Sequence, residues 1–388
     1  MPRAKQGGGC AHTRERSTRR AAQAGESDAD NADGEALVHA SSGGFRLVTR
    51  GALKRLGILF GVLIVLGVLA WATLIEMPGR SHSGALPMMT ESQTATADRL
   101  HADVEFLAGT HARRNIFNPL GYAASSRYLE DRFREAGLEP TREVFELSDG
   151  QTTCENVVAE IPSRMIGGDT VLVIGAHYDT IQGTPGADDN ASGVACLLEL
   201  AARFKARSLA DSLFPACTVR FVCFANEEPP HFMTGDMGSH THAMAARGLG
   251  EDIRLMVSLE MLGYYDDAPG SQSYPFPLSA FYPDTGDFVA VAGGVRSVSH
   301  VRRLVGRWRE RAPFPCEGAA LPSGIPGIGY SDHWSFWQAG YPAVMVTDTS
   351  FFRNPNYHTA ADRPGTLDYD RMARVVDALE VVLAAEAE

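Results

Sequence analysis

The chain has 388 residues, 44% of them apolar and 21% charged, the proportions of a globular protein with a sizeable core. Its formal net charge of -12 argues against a nucleic-acid binder, which needs a basic face. The acidity lies downstream, because the first 55 residues carry more Lys and Arg than Asp and Glu. None of the six cysteines (Cys10, Cys154, Cys196, Cys217, Cys223 and Cys316) falls in a CxxC pair, which argues against a thiolate zinc ribbon. Cys196, Cys217 and Cys223 sit in apolar stretches and read as small core residues. A disulfide would require an oxidising compartment.

Residues 1–55 are rich in Gly, Ala, Ser, Arg and Asp without apolar periodicity, and read as a disordered tail. Leu56 to Ile75 is an unbroken run without charge, long enough to cross a bilayer, and a transmembrane helix is expected over 56–76. Arg46, Arg50, Lys54 and Arg55 precede it, while Glu76 and Arg80 follow. By the positive-inside rule the tail is cytoplasmic and the remainder lies outside, in the periplasm or the extracellular space. Residues 77–94 read as a polar linker, and the folded domain as 95–388.

Within that domain two helical patterns come first, one over 96–109 and one over 118–137 that Gly137 is placed to end. Short strands are expected at Glu143 to Leu147 and Asn156 to Ile161. Val171 to Ala176 is an apolar strand leading into His177-Tyr178-Asp179, a Gly/Pro loop, the acidic run Asp188-Asp189-Asn190, and a helix over Val194 to Phe204. The strand Thr218 to Ala225 runs into Asn226-Glu227-Glu228, and the strand Arg254 to Leu259 into Glu260. Further strands are expected at Phe288 to Ala292 and Ala343 to Thr347, with helices at Gly238 to Arg247, Val298 to Arg311 and Leu367 to Ala385. This alternation predicts an α/β domain, a largely parallel sheet with helices on both faces.

Strands of a parallel sheet end on one edge, so His177 and Asp179, Asp188 and Asp189, Glu227 and Glu228, Glu260 and His358 are expected to converge. So many carboxylates repel each other unless cations neutralise them. Two imidazoles with carboxylates and no thiolate suit a pair of zinc ions.

The stretches HYDT, GADDNASG, NEE, SLEMLGYY, SDHWSF and NYHTAADRPGTLDY, in this order over residues 95–388, resemble metallopeptidase family 28, which includes dizinc aminopeptidases, glutamate carboxypeptidase and one-zinc glutaminyl cyclases. The resemblance implies a dizinc exopeptidase acting on peptides. His177, Asp189, Glu228, Glu260 and His358 would be metal ligands, with Asp189 shared by both ions and followed by a cis peptide. Asp179 would orient His177, and Asp188 would support the loop. Glu227 would activate a metal-bridging water, and Tyr357 would hydrogen-bond the tetrahedral oxyanion. Glu260 stands where many members of the family have Asp. Aminopeptidase action leads. A carboxypeptidase would want a cationic pocket residue, for which Arg353 is the candidate, and a glutaminyl cyclase or an inactive scaffold on the same fold are the other readings. Asp332 and His333 support the site rather than bind metal in this reading.

Overall fold

The computed structural model describes residues 50–388 except 112 and 166. The tail before residue 50 lies outside the described residues. Two units are distinguished: one ends at Gly57, and of it only the opening turns of helix α1 (Arg50–Ala70) are described; the second, Ile58–Glu388, is compact. Among the described residues this helix starts at Arg50, ahead of its apolar run. It closes in a π-helical turn, Trp71–Ile75. Gly51–Ile75 is long and apolar enough to cross a membrane.

The first helix of the α/β domain is α2 (Glu91–Val104), and it starts ahead of the expected boundary. Thr90 caps it: its Oγ1 accepts from the Gln93 amide while the Gln93 side chain accepts from the Thr90 amide. Helix α3 (Pro119–Glu135) opens on Pro119, whose missing N–H costs nothing in a first turn. Strands β1 (Thr141–Glu146), β2 (Thr153–Ile161) and β3 (Thr170–His177) follow, then α4 (Gly193–Ala210), β4 (Thr218–Phe224), α5 (Gly238–Leu249) and β5 (Asp252–Glu260). The chain continues through β6 (Val289–Gly293), α6 (Val298–Arg311), β7 (Cys316–Ala320), α7 (His333–Gln338), β8 (Ala343–Thr347) and α8 (Tyr369–Ala387).

The strands form one eight-stranded sheet in the order β1-β2-β4-β3-β5-β8-β6-β7. Its centre, β4-β3-β5-β8, is parallel. The meander β1-β2 joins β4 antiparallel, and the parallel pair β6-β7 joins β8 antiparallel. The sheet is therefore mixed, with the expected parallel part in the middle.

Alternation along β3 explains the layers. Leu172, Ile174 and Ala176 pack into a core with residues of α2, α4, α6 and α8. Val171 and Val173 point to the opposite face, against Ala243 and Ala246 of α5 and Phe336 of α7. Gly175 lets that face close tightly, since a Cβ there would lie 2.2 Å from the Phe224 ring. Strand β7 was not legible in the sequence. Its residues, CEGAA, lack the branched and aromatic types that signal strands, and pairing with β6 makes it one. The five described cysteines are buried and free, as core residues.

Candidate metal centre

The parallel strands deliver the functional groups to one edge. His177 is the last residue of β3 and Glu260 the last of β5. Glu227 and Glu228 follow β4 after Asn226, which turns the chain at φ 56° and is held by the Tyr122 hydroxyl at 3.1 Å. His358 stands in the loop after β8, at φ 56°.

Asp189 lies between the two imidazoles. Its Oδ1 is 3.4 Å from His177 Nε2 and its Oδ2 3.1 Å from His358 Nε2. His177 Nε2 also lies 3.3 Å from Glu260 Oε2, and His358 Nε2 lies 3.2 Å from Glu228 Oε2. Two groups of donors result, His177/Asp189/Glu260 and Asp189/Glu228/His358, each with its atoms within 4.8 Å of one another. Glu227 belongs to neither, and its Oε2 stands 4.0 Å from His177 Nε2.

The peptide Asp189–Asn190 is cis. Asn190 donates to Leu259 O at 2.9 Å and accepts from the Met261 amide at 3.0 Å, so the Asp189 loop is stitched to both sides of Glu260. Asp188 faces away from the centre. It accepts from the Gly263 amide at 2.9 Å and from Asn354 Nδ2 at 2.6 Å.

Asp179 lies 3.5 Å from His177 Nδ1, but its stronger hold is elsewhere. Its two oxygens accept from the amides of Glu227 and Glu228, at 3.0 and 3.1 Å. It thus positions the turn that carries both glutamates. Tyr357 stacks on the His358 ring, 3.7 Å between centroids, and borders the same cavity.

Three supporting residues escaped the sequence reading as individuals. The Ser331 hydroxyl donates to Glu260 Oε2 at 2.7 Å. The Asp362 carboxylate accepts from the Asp188 and Asp189 amides at 2.8 and 3.1 Å. Both lie inside quoted motifs, SDHWSF and NYHTAADRPGTLDY. Arg114 is buried and donates to the carbonyls of Leu107, Tyr178, Pro185 and Gly186, bracing the loop that leads to Asp189. Nothing local in the sequence marks it.

Electrostatics follows from burying four carboxylates together. Burial pushes the Glu227 carboxyl well above its usual range, and the nearby Glu260 and Glu228 charges add to this against the pull of His177. Glu228 is pushed up to about 8 by burial and by Asp189, and Glu260 is raised chiefly by burial. Burial alone would keep both imidazoles neutral. The facing carboxylates override it, raising His177 well above its ordinary value and His358 to about 10. Asp189 is lowered in spite of burial, because both imidazoles reach it. Such a cluster demands positive charge. Glu228 Oε1 is buried without a hydrogen-bond partner. Oxygen and imidazole donors with no thiolate fit zinc.

His333 stays outside the centre. Its Nε2 donates to Ile328 O at 2.8 Å, and its ring meets Trp337 edge-on at 4.6 Å. Burial lowers its pKa from 6.5 to about 4. Between those values the unfolded chain binds a proton that the folded chain refuses, so this stability is lost as pH falls from 6.5 to 4. By pH 5 the loss is about 2 kcal/mol. His333→Phe is expected to flatten that part of the Tm–pH curve relative to the wild type. Equal acid slopes for the two proteins would refute this.

A cavity of about 360 Å³ adjoins the acidic cluster. Asp189, Glu227, Glu228, Glu260 and His358 form one end. Its floor follows the sheet register from Glu260 to Thr347, Ala290 and Glu317. Three strand spacings make this roughly 14 Å. Ala290, Ala292 and Ala319 keep the floor low, and aromatic residues, among them Tyr274, Tyr282 and Phe351, form the walls. Among the described residues, no Lys or Arg lines it.

The mixed α/β sheet thus carries two groups of acid and imidazole donors at one edge. The chain belongs to Peptidase family M28, whose model matches residues 156–383. Uncharacterized protein YfbL of Escherichia coli (strain K12) is 38% identical over 298 residues, 74% of this chain and 88% of that protein. Leucine aminopeptidase 1 of Fusarium vanettenii is 26% identical over 294 residues, 72% of this chain and 68% of that one. Among solved structures, BSAP, a zinc aminopeptidase from Bacillus subtilis, is similar with a TM-score of 0.58 at 14% identity, over 78% of this chain and 96% of that chain. At that identity the likeness concerns the fold.

Proposed function

We propose that this chain is a dizinc aminopeptidase, which removes N-terminal residues from peptides. The observation that carries the reading is the pair of donor groups sharing Asp189, with Glu227 beside them, at the acidic end of a cavity that no Lys or Arg lines among the described residues. With no Lys or Arg on its lining among the described residues, the cavity offers a substrate carboxylate no ammonium or guanidinium counter-charge. Arg353, the candidate for binding a substrate carboxylate, does not line the cavity. It donates to Gln272 Oε1 and Phe288 O and lies over the Phe288 ring. Two complete donor groups also weigh against a one-zinc glutaminyl cyclase and against an inactive scaffold.

In this reading His177, Asp189 and Glu260 hold one ion and Asp189, Glu228 and His358 the other. Bound zinc supplies Lewis acidity, which lowers the pKa of water and polarises a carbonyl. Glu227 takes the proton of the attacking water and returns it to the departing amine. Asp179 keeps Glu227 and Glu228 in place through their amides. Tyr357 donates to the oxyanion as it forms. The test is hydrolysis of matched peptides with free and acetylated N-termini, before and after chelation. Cleavage of the free-amine peptide alone, lost on chelation, is expected. Equal cleavage of both peptides would sink the aminopeptidase reading.

The small-residue floor gives a second expectation. Ala290→Phe fills the channel next to Thr347, so it should lower kcat/KM for N-terminal Leu or Phe by about 10-fold or more, while N-terminal Ala is spared. An equal loss for all three would argue against a substrate side chain lying there.

The helix Gly51–Ile75 is long and apolar enough for a single membrane span, and by the positive-inside rule its basic flank and the tail would be cytoplasmic and the peptidase domain outside. The buried free cysteines neither require nor exclude an oxidising compartment.

A further inference from the structure

We propose that the loop from Tyr274 to Tyr282 rests in the headgroup region of the bilayer that α1 enters, so that the walls of the substrate cavity stand at the lipid surface. This rests on reading Gly51–Ile75 as a membrane span.

Within the second unit, the chain leaving the helix has no slack. Arg302 of α6 donates to the carbonyls of Ala72 and Thr73, at 3.1 and 3.3 Å, and to that of Glu76. Arg309, further along α6, reaches Met77 O and Gly79 O. Ser81 pairs with Cys316 at the start of β7 in both directions, at 3.0 and 3.1 Å. Met77 is buried. The membrane-exit end of the helix is therefore bound to α6 and β7 from Ala72 through Ser81.

This attachment decides which surface meets the lipid. Leu74 and Ile75 pack into one apolar cluster with Tyr274, Leu278 and Tyr282. Two phenylalanines flank Leu278 on the same loop. Phe276 is 95% exposed and Phe281 47%. The loop is braced from within: Tyr274 stacks on Tyr282 at 5.6 Å, Tyr274 donates to Pro283 O, and Tyr282 donates to Gly318 O. The braces hold the phenylalanines outward, where water is an unfavourable neighbour. Trp71, 39% exposed at the end of the helix, is the residue type that settles at a membrane–water boundary. Apolar surface continuous with the end of a span, and carrying aromatic residues at that level, fits the boundary of headgroups and acyl chains.

The consequence for function is access. Tyr274, Pro275, Leu278 and Tyr282 line the cavity, whereas Phe276 and Phe281 do not. Peptides lying on the membrane surface would reach the acidic end by passing this loop.

The test uses the full chain in phospholipid nanodiscs, with Cys10→Ser and either Phe276→Cys or Leu213→Cys carrying a polarity-sensitive dye. Leu213 is exposed on a loop between α4 and β4. Lipids spin-labelled near the headgroup are the quencher. Blue-shifted emission and loss of most of the signal at 276, with little loss at 213, are expected. Matching behaviour at the two positions in incorporated chains would overturn the loop proposal alone. Chains that do not remain with the nanodiscs would overturn the span reading as well. Disulfide-linked dimers of the undyed Phe276→Cys chain, without quenching of the dyed one, would assign the loop to a second copy instead. As an independent readout, the double change Phe276→Ser/Phe281→Ser should slow hydrolysis of a lipid-tethered peptide several-fold and leave a soluble peptide unaffected. Equal rates on both substrates would count against the proposal.

Discussion

Glu227→Gln is expected to lower kcat on a free-amine peptide by about 10³-fold, some 4 kcal/mol of barrier, with the zinc content unchanged. The argument is geometric. Glu227 lies 4.0 Å from His177 Nε2 yet belongs to neither donor group, so the change removes a proton acceptor and no ligand. Its backbone is fixed independently by Asp179, which accepts the Glu227 amide at 3.0 Å, and the amide side chain of Gln fills nearly the same space. Neither fold nor metal site has cause to change. Rates within a few-fold of the wild type, at equal metal content, would remove Glu227 from the mechanism. Loss of zinc in the variant would make it a ligand instead.

Asp189→Asn is expected to act on metal and activity together. Its two oxygens face different imidazoles, so one substitution weakens both donor groups. Bound zinc should fall from about two per chain to below one, and hydrolysis by about 10³-fold or more. His358→Ala is the informative contrast. It touches only the group containing Glu228, and should leave about one tightly held ion. Metal analysis after dialysis, with activity measured on the same samples, separates the outcomes. Two ions retained in Asp189→Asn would show that Asp189 is not shared.

Much of this site could be read before any coordinates. Strands ending in HYD, NEE and E are locally recognisable, and a parallel arrangement sends their ends to one edge. The structure gathers His177, Asp189 and Glu260 into one group and Asp189, Glu228 and His358 into another. The role of Asp179 was only half legible. The family resemblance implied an imidazole partner for it, but its amide contacts with Glu227 and Glu228 depend on β3 and β4 lying side by side. Ser331 and Arg114 were invisible as site residues, since serine and arginine in loops are ordinary until the fold places them beneath Glu260 and around the Asp189 loop.

The sequence by itself determined the apolar helix, the order of the strands and helices other than β7, and the chemical types gathered at the strand ends. These are local properties: hydrophobic period, run length and residue chemistry. Only the tertiary structure decided that β6 and β7 join β8 antiparallel, that the unremarkable CEGAA is a strand, and that its small residues leave an open channel beside the acidic cluster. It also decided that Arg353 turns away from that channel and that the end of the apolar helix is fastened to α6 and β7. Those outcomes rest on hydrogen bonds and packing between residues tens to hundreds of positions apart, which no local pattern encodes.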